Sequence, residues 1–291
     1  SGLDSGVGDY GPGVVSNAYD SSRWREEGAP ITLFHGGMVD LTGDVEYEVS
    51  RHDSGQWGPG IYTTSSPFPA IKGWANPWKR NAEGSYDTGP PGYLHTTRWK
   101  GENPPRILDV EEALPDEIID DVVIPTIEKL RREIDKARKE GTIERFTSED
   151  AEYMLDEITD SIVSMRDRNN DITGRDTLLP IQQWLQEWEM PTEDNPGWNE
   201  NGFLTLDRIS TIRKEINTAI REQGHDVIKS HEKGIRDMSR TDYLFLDPDM
   251  VEFVDVASTH SLGGFGNMGS LEMHRIVTGR AKERENRGEA A

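Results

Sequence analysis

His35, a histidine at a predicted strand end marked by two glycines, is a candidate for binding or catalysis. It follows a short apolar run, Ile31–Phe34, which is bounded by Pro30 and by Gly36-Gly37. Such a run is typical of a buried strand. The glycines have no side chains, so a ligand can approach the backbone beside the imidazole. The pattern predicts a binding position at His35, although a lone histidine in such a place is more often structural.

Two aromatic residues follow a glycine-rich turn further along the chain. The turn is Gly58-Pro59-Gly60, and the strand after it places Tyr62 one residue past Ile61. Trp74 comes twelve residues after Tyr62, in a short stretch that also contains Ala70. Taken alone, each aromatic would be interpreted as a packing residue. Their order after the turn makes them candidates for binding a flat ring.

A glutamate late in the chain, Glu232, is the candidate carboxylate. It is predicted to lie in a turn before the apolar strand Tyr243–Asp247. Asp242 and Glu252 are rival acids in the same region. Charged residues surround Glu232, so a solvated surface turn is the alternative interpretation.

The elements that must position these residues change type along the chain. Residues 31–110 and 220–256 contain short β-like runs, among them the alternating, β-branched and aromatic run Tyr93–Trp99. Residues 111–219 instead carry apolar residues at helical spacing. We therefore predict an α+β fold in which a helical insertion lies beside a β core.

Local signals refine this division. Pro125 suits the first turn of one helix in the insertion, and Gly141 suits its end. Residues 1–30 are rich in Gly, Ser and Asp without periodicity, which predicts a loosely held arm. Residues 257–291 are predicted to form a charged C-terminal tail.

The composition narrows the classes of function. The chain has 54 acidic and 32 basic residues and a net charge of −22, a field that repels phosphates and argues against a nucleic-acid partner. It has no cysteine, so it has no disulfide, thiolate metal site or cysteine nucleophile. We find no apolar run of membrane-spanning length, phosphate loop, dinucleotide fingerprint or metal-ligand spacing. The sequence predicts a soluble protein with no membrane or metal partner, and it leaves the compartment undecided.

These residues resemble the motifs of ADP-ribosyltransferases of the diphtheria-toxin and poly-ADP-ribose-polymerase type. In that group one strand ends in His-Gly, a Gly-x-Gly-x-Tyr strand and a second aromatic follow, and a glutamate lies near a late strand. The matching positions here are His35, Tyr62, Trp74 and Glu232. The segment Tyr243–Pro248 is similar to the end of such domains in phage and bacterial toxin polyproteins. The resemblance implies a split β-sandwich, two small packed sheets with a cleft between them.

The resemblance also implies a role for each residue, with NAD as co-substrate. Glu232 would be the catalytic carboxylate that stabilises the ribosyl cation as nicotinamide leaves. His35 would bind the adenosine ribose, and Tyr62 and Trp74 would flank the nicotinamide ring. His35 and Tyr62 complete the predicted catalytic set. The remaining predicted NAD-binding residues are Gly36, Gly37, Gly60, Thr63 and Ala70.

The function implied is mono-ADP-ribosyl transfer from NAD to a protein acceptor, with NAD hydrolysis as a variant. A basic acceptor is the natural expectation for so acidic a chain, because opposite fields speed encounter. Such a protein would be carried in a virion or delivered into a host cytoplasm. The alternative is an inactive structural or interaction domain of a phage or toxin polyprotein that keeps the fold. Convergence of His35, Tyr62 and Glu232 on one cleft would favour the enzyme.

Overall fold

The structure, a computed structural model, describes residues 33–37, 40–41, 56–65, 70, 78–80, 86–88, 92–141, 145–189, 206–233 and 239–258. These residues contain both helices and a mixed β-sheet, which agrees with the predicted α+β class. The predicted N-terminal arm, and the predicted tail beyond Ser258, lie outside the described residues.

The strands belong to one large sheet and one small hairpin. In chain order they are β1 (Leu33–Gly37), β2 (Ile61–Thr64), β3 (Trp78–Arg80), β4 (Tyr86–Thr88), β5 (Tyr93–Trp99), β6 (Ile107–Asp109), β7 (Val227–Lys233), β8 (Ser239–Phe245) and β9 (Val251–Ser258). Seven strands follow the order β6-β7-β8-β2-β1-β5-β9, and β3 pairs with β4. Only β6 and β7 are parallel, which is possible because a long helical connection joins them.

The two sheets expected from the sequence are therefore joined into one hydrogen-bonded order. The joint lies between β1 and β2, where Phe34 and Thr64 are the one residue pair in register. By contrast, β1 pairs with β5 through five residues and β2 with β8 through four. The sheet thus consists of a four-strand part, β6-β7-β8-β2, and a three-strand part, β1-β5-β9, with a narrow connection.

A 3-10 helical turn (Pro248–Met250) precedes β9, and the other helices whose bounds the structure gives lie between β6 and β7 in the chain. They are α1 (Asp116–Ile118), a π-helical turn (Ile119–Val123), α2 (Ile124–Glu140), α3 (Arg145–Asp167), α4 (Leu178–Glu189) and α5 (Leu206–Glu222). Helix α5 continues three residues beyond the predicted end of the insertion at 219, and β9 continues two residues beyond the predicted end of the core at 256. In both cases the helix or strand extends past the position where the amino-acid composition of the chain changes.

Helix α2 shows the predicted local signals at both ends. Pro125 is in the first turn of α2, and the π-helical turn that precedes it is continuous with the helix and accommodates the missing N–H. Gly141 ends the helix in the left-handed conformation, with φ of 66°, and its N–H donates to the carbonyls of Ala137 and Arg138. These predictions are confirmed.

The sheet has a different core on each face. The helices cover one face and form the larger core, which includes Leu244, Ile228 and the packed ring of Tyr62. The smaller core on the other face contains Leu33, Ile61, Val227, Tyr243, Phe245 and Val251. Side chains alternate along a strand, so neighbouring residues of β2 contribute to different cores. Within the described part of the chain, no helix is long and apolar enough to cross a membrane.

Candidate functional site

His35 lies at the joint between the two parts of the sheet. Its side chain is buried, and its Nδ1 lies 2.8 Å from the carbonyl oxygen of Tyr62. A carbonyl only accepts, so Nδ1 carries the proton in this contact. His35 thus bridges β1 and β2 immediately beyond the single residue pair that joins them. His35 therefore contacts the strand that follows the glycine turn, and it does so through the backbone of Tyr62.

A second histidine, His95, stands opposite His35 on β5. The two residues are Cα partners, and their ring centroids are 5.8 Å apart. Phe253 contacts both rings edge-on, at 5.6 Å from His35 and 5.4 Å from His95. His95 is not among the residues predicted from the sequence. Its one signal was a histidine inside an alternating strand, which says nothing about the neighbouring strand.

His95 is held as a neutral hydrogen-bond acceptor. Burial, followed by the nearby His35, lowers its pKa to about 4. Its Nε2 accepts the backbone N–H of Leu41 at 3.0 Å. Leu41 follows the His-Gly-Gly segment of β1, so His95 fixes the chain soon after those glycines. A neutral imidazole is needed for this, because a protonated one has no acceptor nitrogen.

Tyr62 has a hydroxyl that is engaged within its own turn. It accepts the N–H of Trp57 at 3.0 Å and donates to the carbonyl of Gly58 at 2.8 Å. Burial raises the pKa of Tyr62 above its ordinary value, so the hydroxyl stays protonated. The side chain therefore closes the glycine turn back onto the strand that follows it.

Replacing Tyr62 by Phe should lower the free energy of unfolding by about 2 kcal/mol, because it leaves the Trp57 N–H and the Gly58 carbonyl without their partner. Urea unfolding of the variant measures this loss. Tyr153→Phe is the matched control, since that exposed hydroxyl contacts only the exposed Glu157. A Tyr62→Phe variant as stable as the control would contradict the assigned role.

His35 and Tyr62 do not present their side chains to the same face of the sheet. Tyr62 packs on the larger core with the helices. His35 is two residues from Leu33, which belongs to the smaller core, and it contacts Phe253, which packs on that core. The register between the strands gives the same result. Phe34 and Thr64 are Cα partners and so point to the same face of the sheet. Tyr62, two residues from Thr64, shares that face, whereas His35, next to Phe34, points to the opposite one. The structure brings the two residues together without aligning their rings on one surface.

The predicted small NAD-binding residues are accounted for by packing and pairing. Gly36 and Gly37 pair with Leu94 and Tyr93 of β5. Gly60 has φ of 156°, and a Cβ there would lie 2.4 Å from the Leu244 side chain and 2.5 Å from the Phe245 carbonyl oxygen, so no larger residue fits. Thr63 is buried and donates to the Tyr243 carbonyl, and Ala70 is buried. Trp74 lies outside the described residues.

Glu232 lies in strand β7, and not in a turn as the sequence suggested. Its Cα partner is Arg240 of β8, and the antiparallel pairing extends to Lys233, which places the residue in a regular strand. Glu232 is four residues along β7 from Ile228, which is in the cross-strand row of Leu244 and Tyr62. At strand spacing this is about 13 Å along the sheet. The backbone of Glu232 is thus in the same part of the sheet as Tyr62, but at some distance from it.

An ion pair holds the residue that precedes Glu232. Strand β6 ends at Asp109, so His231 extends past it. Glu111 accepts the His231 N–H at 2.9 Å, and Arg175 donates to the His231 carbonyl at 2.6 Å. Burial alone would raise the pKa of Glu111, but hydrogen bonds from Arg175 and His231 lower it. Two side chains therefore take the place of a neighbouring strand at this edge.

The rival acids have different surroundings. Asp242 is buried on β8, directly between Ser230 of β7 and Thr64 of β2. Its charge acts on Tyr62, since it helps to raise the tyrosine's pKa while Arg213 opposes it. Glu252 instead binds Arg98 at 2.6 Å on the far side of the sheet, on β9. Of the rivals, Asp242 alone lies on a strand adjacent to β2.

Three buried polar residues of the helices reach the glycine turn. Arg213 Nε donates to Gln182 Oε1 at 3.0 Å, and Gln182 Nε2 donates to Asn217 Oδ1 at 3.3 Å. Asn217 Nδ2 then donates to the carbonyl of Pro59 at 2.8 Å. We call these three residues the polar relay. The sequence pattern does not reveal them, because Arg213 and Asn217 each follow an apolar stripe residue of α5 and resemble solvent-facing positions.

Comparison with protein-family models, with curated proteins and with solved structures finds no match to this chain. The family resemblance therefore depends on the motifs alone. In the described residues, no group of three or more acidic or histidine side chains is arranged to hold a metal ion.

Proposed function

We propose that the chain is a mono-ADP-ribosyltransferase that transfers ADP-ribose from NAD to a protein. One observation carries the proposal. The strands with the three motifs, β1, β2 and β7, are far apart in sequence but fall within four consecutive strands, β7-β8-β2-β1. Strands this close to one another support a common substrate for His35, the glycine turn and a late carboxylate.

The proposed fold is an ADP-ribosyltransferase-like split β-sandwich. Its support is the narrow joint between β1 and β2, where one residue pair connects the two parts of the sheet. His35 bonds to the Tyr62 carbonyl at this joint. The proposed NAD site is centred there, with His35 and the glycines of β1 on one side and the turn before Tyr62 on the other.

The proposed reaction breaks the bond between the nicotinamide nitrogen and C1′ of the ribose. Nicotinamide leaves with the bonding electron pair, and positive charge develops on the ribose. A carboxylate, Glu232 in this proposal, stabilises that charge. An acceptor side chain supplies the electron pair of the new bond to C1′ and loses its proton to a base or to water. When water is the acceptor, the product is free ADP-ribose.

The acceptor in this proposal is a basic protein. The support is the net charge of −22, which attracts positively charged partners and disfavours nucleic acid. A protein that modifies other proteins must also reach them. Delivery into a host cytoplasm, or carriage in a virion, is therefore part of the proposal.

Incubation with labelled NAD tests the function directly. The full chain is mixed with labelled NAD and either lysate or a purified basic protein such as a histone, and protein-bound label and free nicotinamide are measured. Label on protein, with nicotinamide released in parallel, is the expected result. Nicotinamide release without protein label would indicate the hydrolytic variant. Neither product, under any acceptor condition, would contradict the proposal.

A second candidate is a structural or interaction domain that keeps the fold without turnover. The observation in its favour is the placement of Tyr62, whose hydroxyl is engaged by Trp57 and Gly58 and whose ring faces the helices, away from His35. Calorimetric titration with NAD separates the two candidates. This candidate predicts no heat of binding, whereas the enzyme must bind its co-substrate.

A further inference from the structure

We propose that Asn217, held by Gln182 and Arg213, is a positioning residue for the glycine turn of the proposed NAD site. The inference rests on the proposed function, since it assigns a task within that site to the helical insertion. It names a residue and a contact that none of the recognised motifs contains.

The three hydrogen bonds that link the polar relay to the turn all run in one direction, toward the turn. Arg213 donates to Gln182, Gln182 donates to Asn217, and Asn217 donates to the Pro59 carbonyl. Hydrogen bonds in a chain polarise one another, and here the first donor is a cation. The last bond, to Pro59, is therefore stronger than an isolated amide contact. The turn is the end point of the relay.

Burying the side chains of the polar relay costs free energy of folding, so their presence needs a structural explanation. Arg213, Gln182 and Asn217 are exposed by 0 %, 1 % and 4 % of their surface, and they lie among the apolar residues of α4 and α5. Replacing buried charged groups by apolar residues of similar volume is often neutral or stabilising. Buried polar groups do, however, specify a unique arrangement when they are all paired. The arrangement specified here is that of the glycine turn on the helices.

Two of the three carbonyls of the turn are fixed on the helix side. Tyr62 donates to the Gly58 carbonyl and Asn217 donates to the Pro59 carbonyl. The space between them is closed, because a Cβ on Gly58 would lie 2.8 Å from both Asn217 Nδ2 and Gln182 Nε2. The turn therefore packs against α4 and α5 in a single position, and Asn217 provides its central contact.

The fixed Pro59 carbonyl sets the direction of the next amide. The described peptide bonds are all trans, and in a trans peptide the N–H points opposite to the C=O. The Gly60 N–H is thus directed away from Asn217 and the helices. It points to the side of the turn where a polar group of NAD can be recognised by a backbone donor. Asn217 acts on the co-substrate through this peptide and does not touch it.

The variant Asn217→Asp tests the assignment. It keeps the shape of the side chain and the oxygen that accepts from Gln182, and it removes the donor to Pro59. Loss of one such bond is expected to raise KM for NAD about tenfold and to leave kcat within about twofold, because the chemistry is elsewhere. Amide hydrogen exchange in residues 56–61 should accelerate by a similar factor.

Two further variants make the result specific. Asn170→Asp adds the same charge at an exposed position and should change neither KM nor exchange in the turn. Asn217→Leu removes the same donor without adding charge, so it should reproduce the tenfold change if the donor is what matters. It also serves if Asn217→Asp does not fold.

The possible outcomes separate this inference from the proposed function. Unchanged exchange in the turn of a folded Asn217 variant would overturn the positioning role. Faster exchange with unchanged KM, in a chain that consumes NAD, would overturn it too. If the unmutated chain does not bind or consume NAD, the proposed function fails and the assignment to NAD fails with it. If the Asn217 variants of such a chain still show faster amide exchange in the turn, the contact between Asn217 and the turn is supported, and the proposed function is the part that is wrong.

Discussion

Replacing Glu232 by Gln is expected to reduce both ADP-ribosyl transfer and nicotinamide release by about 100- to 1000-fold. Glutamine keeps the shape and hydrogen bonding of the side chain but lacks the charge that would stabilise the ribosyl cation. Removal of one such electrostatic stabiliser typically has this effect on rate. NAD affinity should change little, because the charge is needed mainly in the transition state. Single-turnover rates and calorimetric binding of NAD measure the two effects separately.

The controls are the two rival acids, Asp242→Asn and Glu252→Gln. The Glu252→Gln substitution should leave turnover unchanged, since Glu252 binds Arg98 on β9, three strands away from β2. Asp242 is the sharper comparison. It lies next to Thr64 on the strand adjacent to β2, and its charge acts on Tyr62. Full turnover in Glu232→Gln, with loss in Asp242→Asn, would transfer the catalytic role to Asp242.

Acidification from pH 6.5 to pH 4 is expected to destabilise the protein by about 3 kcal/mol through His95 alone. Its pKa is lowered from the ordinary value of 6.5 to about 4 by burial. Above pH 6.5 the residue is neutral in both the folded and the unfolded chain, so it contributes no pH dependence. Between these values the unfolded chain binds a proton that the folded chain excludes, which favours unfolding. A difference of about 2.5 in pKa corresponds to about 3 kcal/mol.

The measurement is urea unfolding as a function of pH for the unmutated chain and for His95→Gln. Many carboxyl groups also titrate near pH 4, so the difference between the two curves is the quantity to compare. Glutamine does not titrate and its amide oxygen can accept the Leu41 N–H, so the variant should lack this part of the pH dependence. His231→Gln, at an exposed residue, is the control. Parallel curves for the unmutated chain and His95→Gln would refute the assignment.

Local chemistry could be predicted because its causes are local. The end of helix α2 needs a left-handed residue, which Gly141 supplies, and the start tolerates a residue without an N–H, which Pro125 is. The apolar spacing of α5 likewise predicts its buried stripe, Ile209, Ile212, Ile216 and Ile220. The same holds for Tyr93–Trp99, whose alternation and β-branched residues indicate a strand. Each of these depends on residues within a few positions.

The parts of the candidate site that could not be predicted depend on pairing between distant segments. The face to which a strand residue points is set by its register with its neighbours, and a shift of one residue reverses it. His35 and Tyr62 both follow recognisable motifs, yet the Phe34–Thr64 pair places their side chains on opposite faces. Glu232 was interpreted as a turn residue, because the charged residues around it are typical of a turn. Its pairing with β8 places it in a strand, and that pairing has no signature in the local sequence.

The sequence by itself determined the types of element, the glycine turn before Tyr62 and the strand that contains His35, because short-range sterics and hydrophobic periodicity act within a few residues. The predicted strand end at His35 is wrong, since β1 continues to Gly37 through its pairing with β5. Only the tertiary structure decided that His95 stands against His35, that a short strand, β6, pairs with β7, and that Asn217 reaches the carbonyl of Pro59. These contacts join segments far apart in the chain. Strand pairing produces the first two contacts, and the position of α5 beside the glycine turn produces the third, so no local pattern connects these residues.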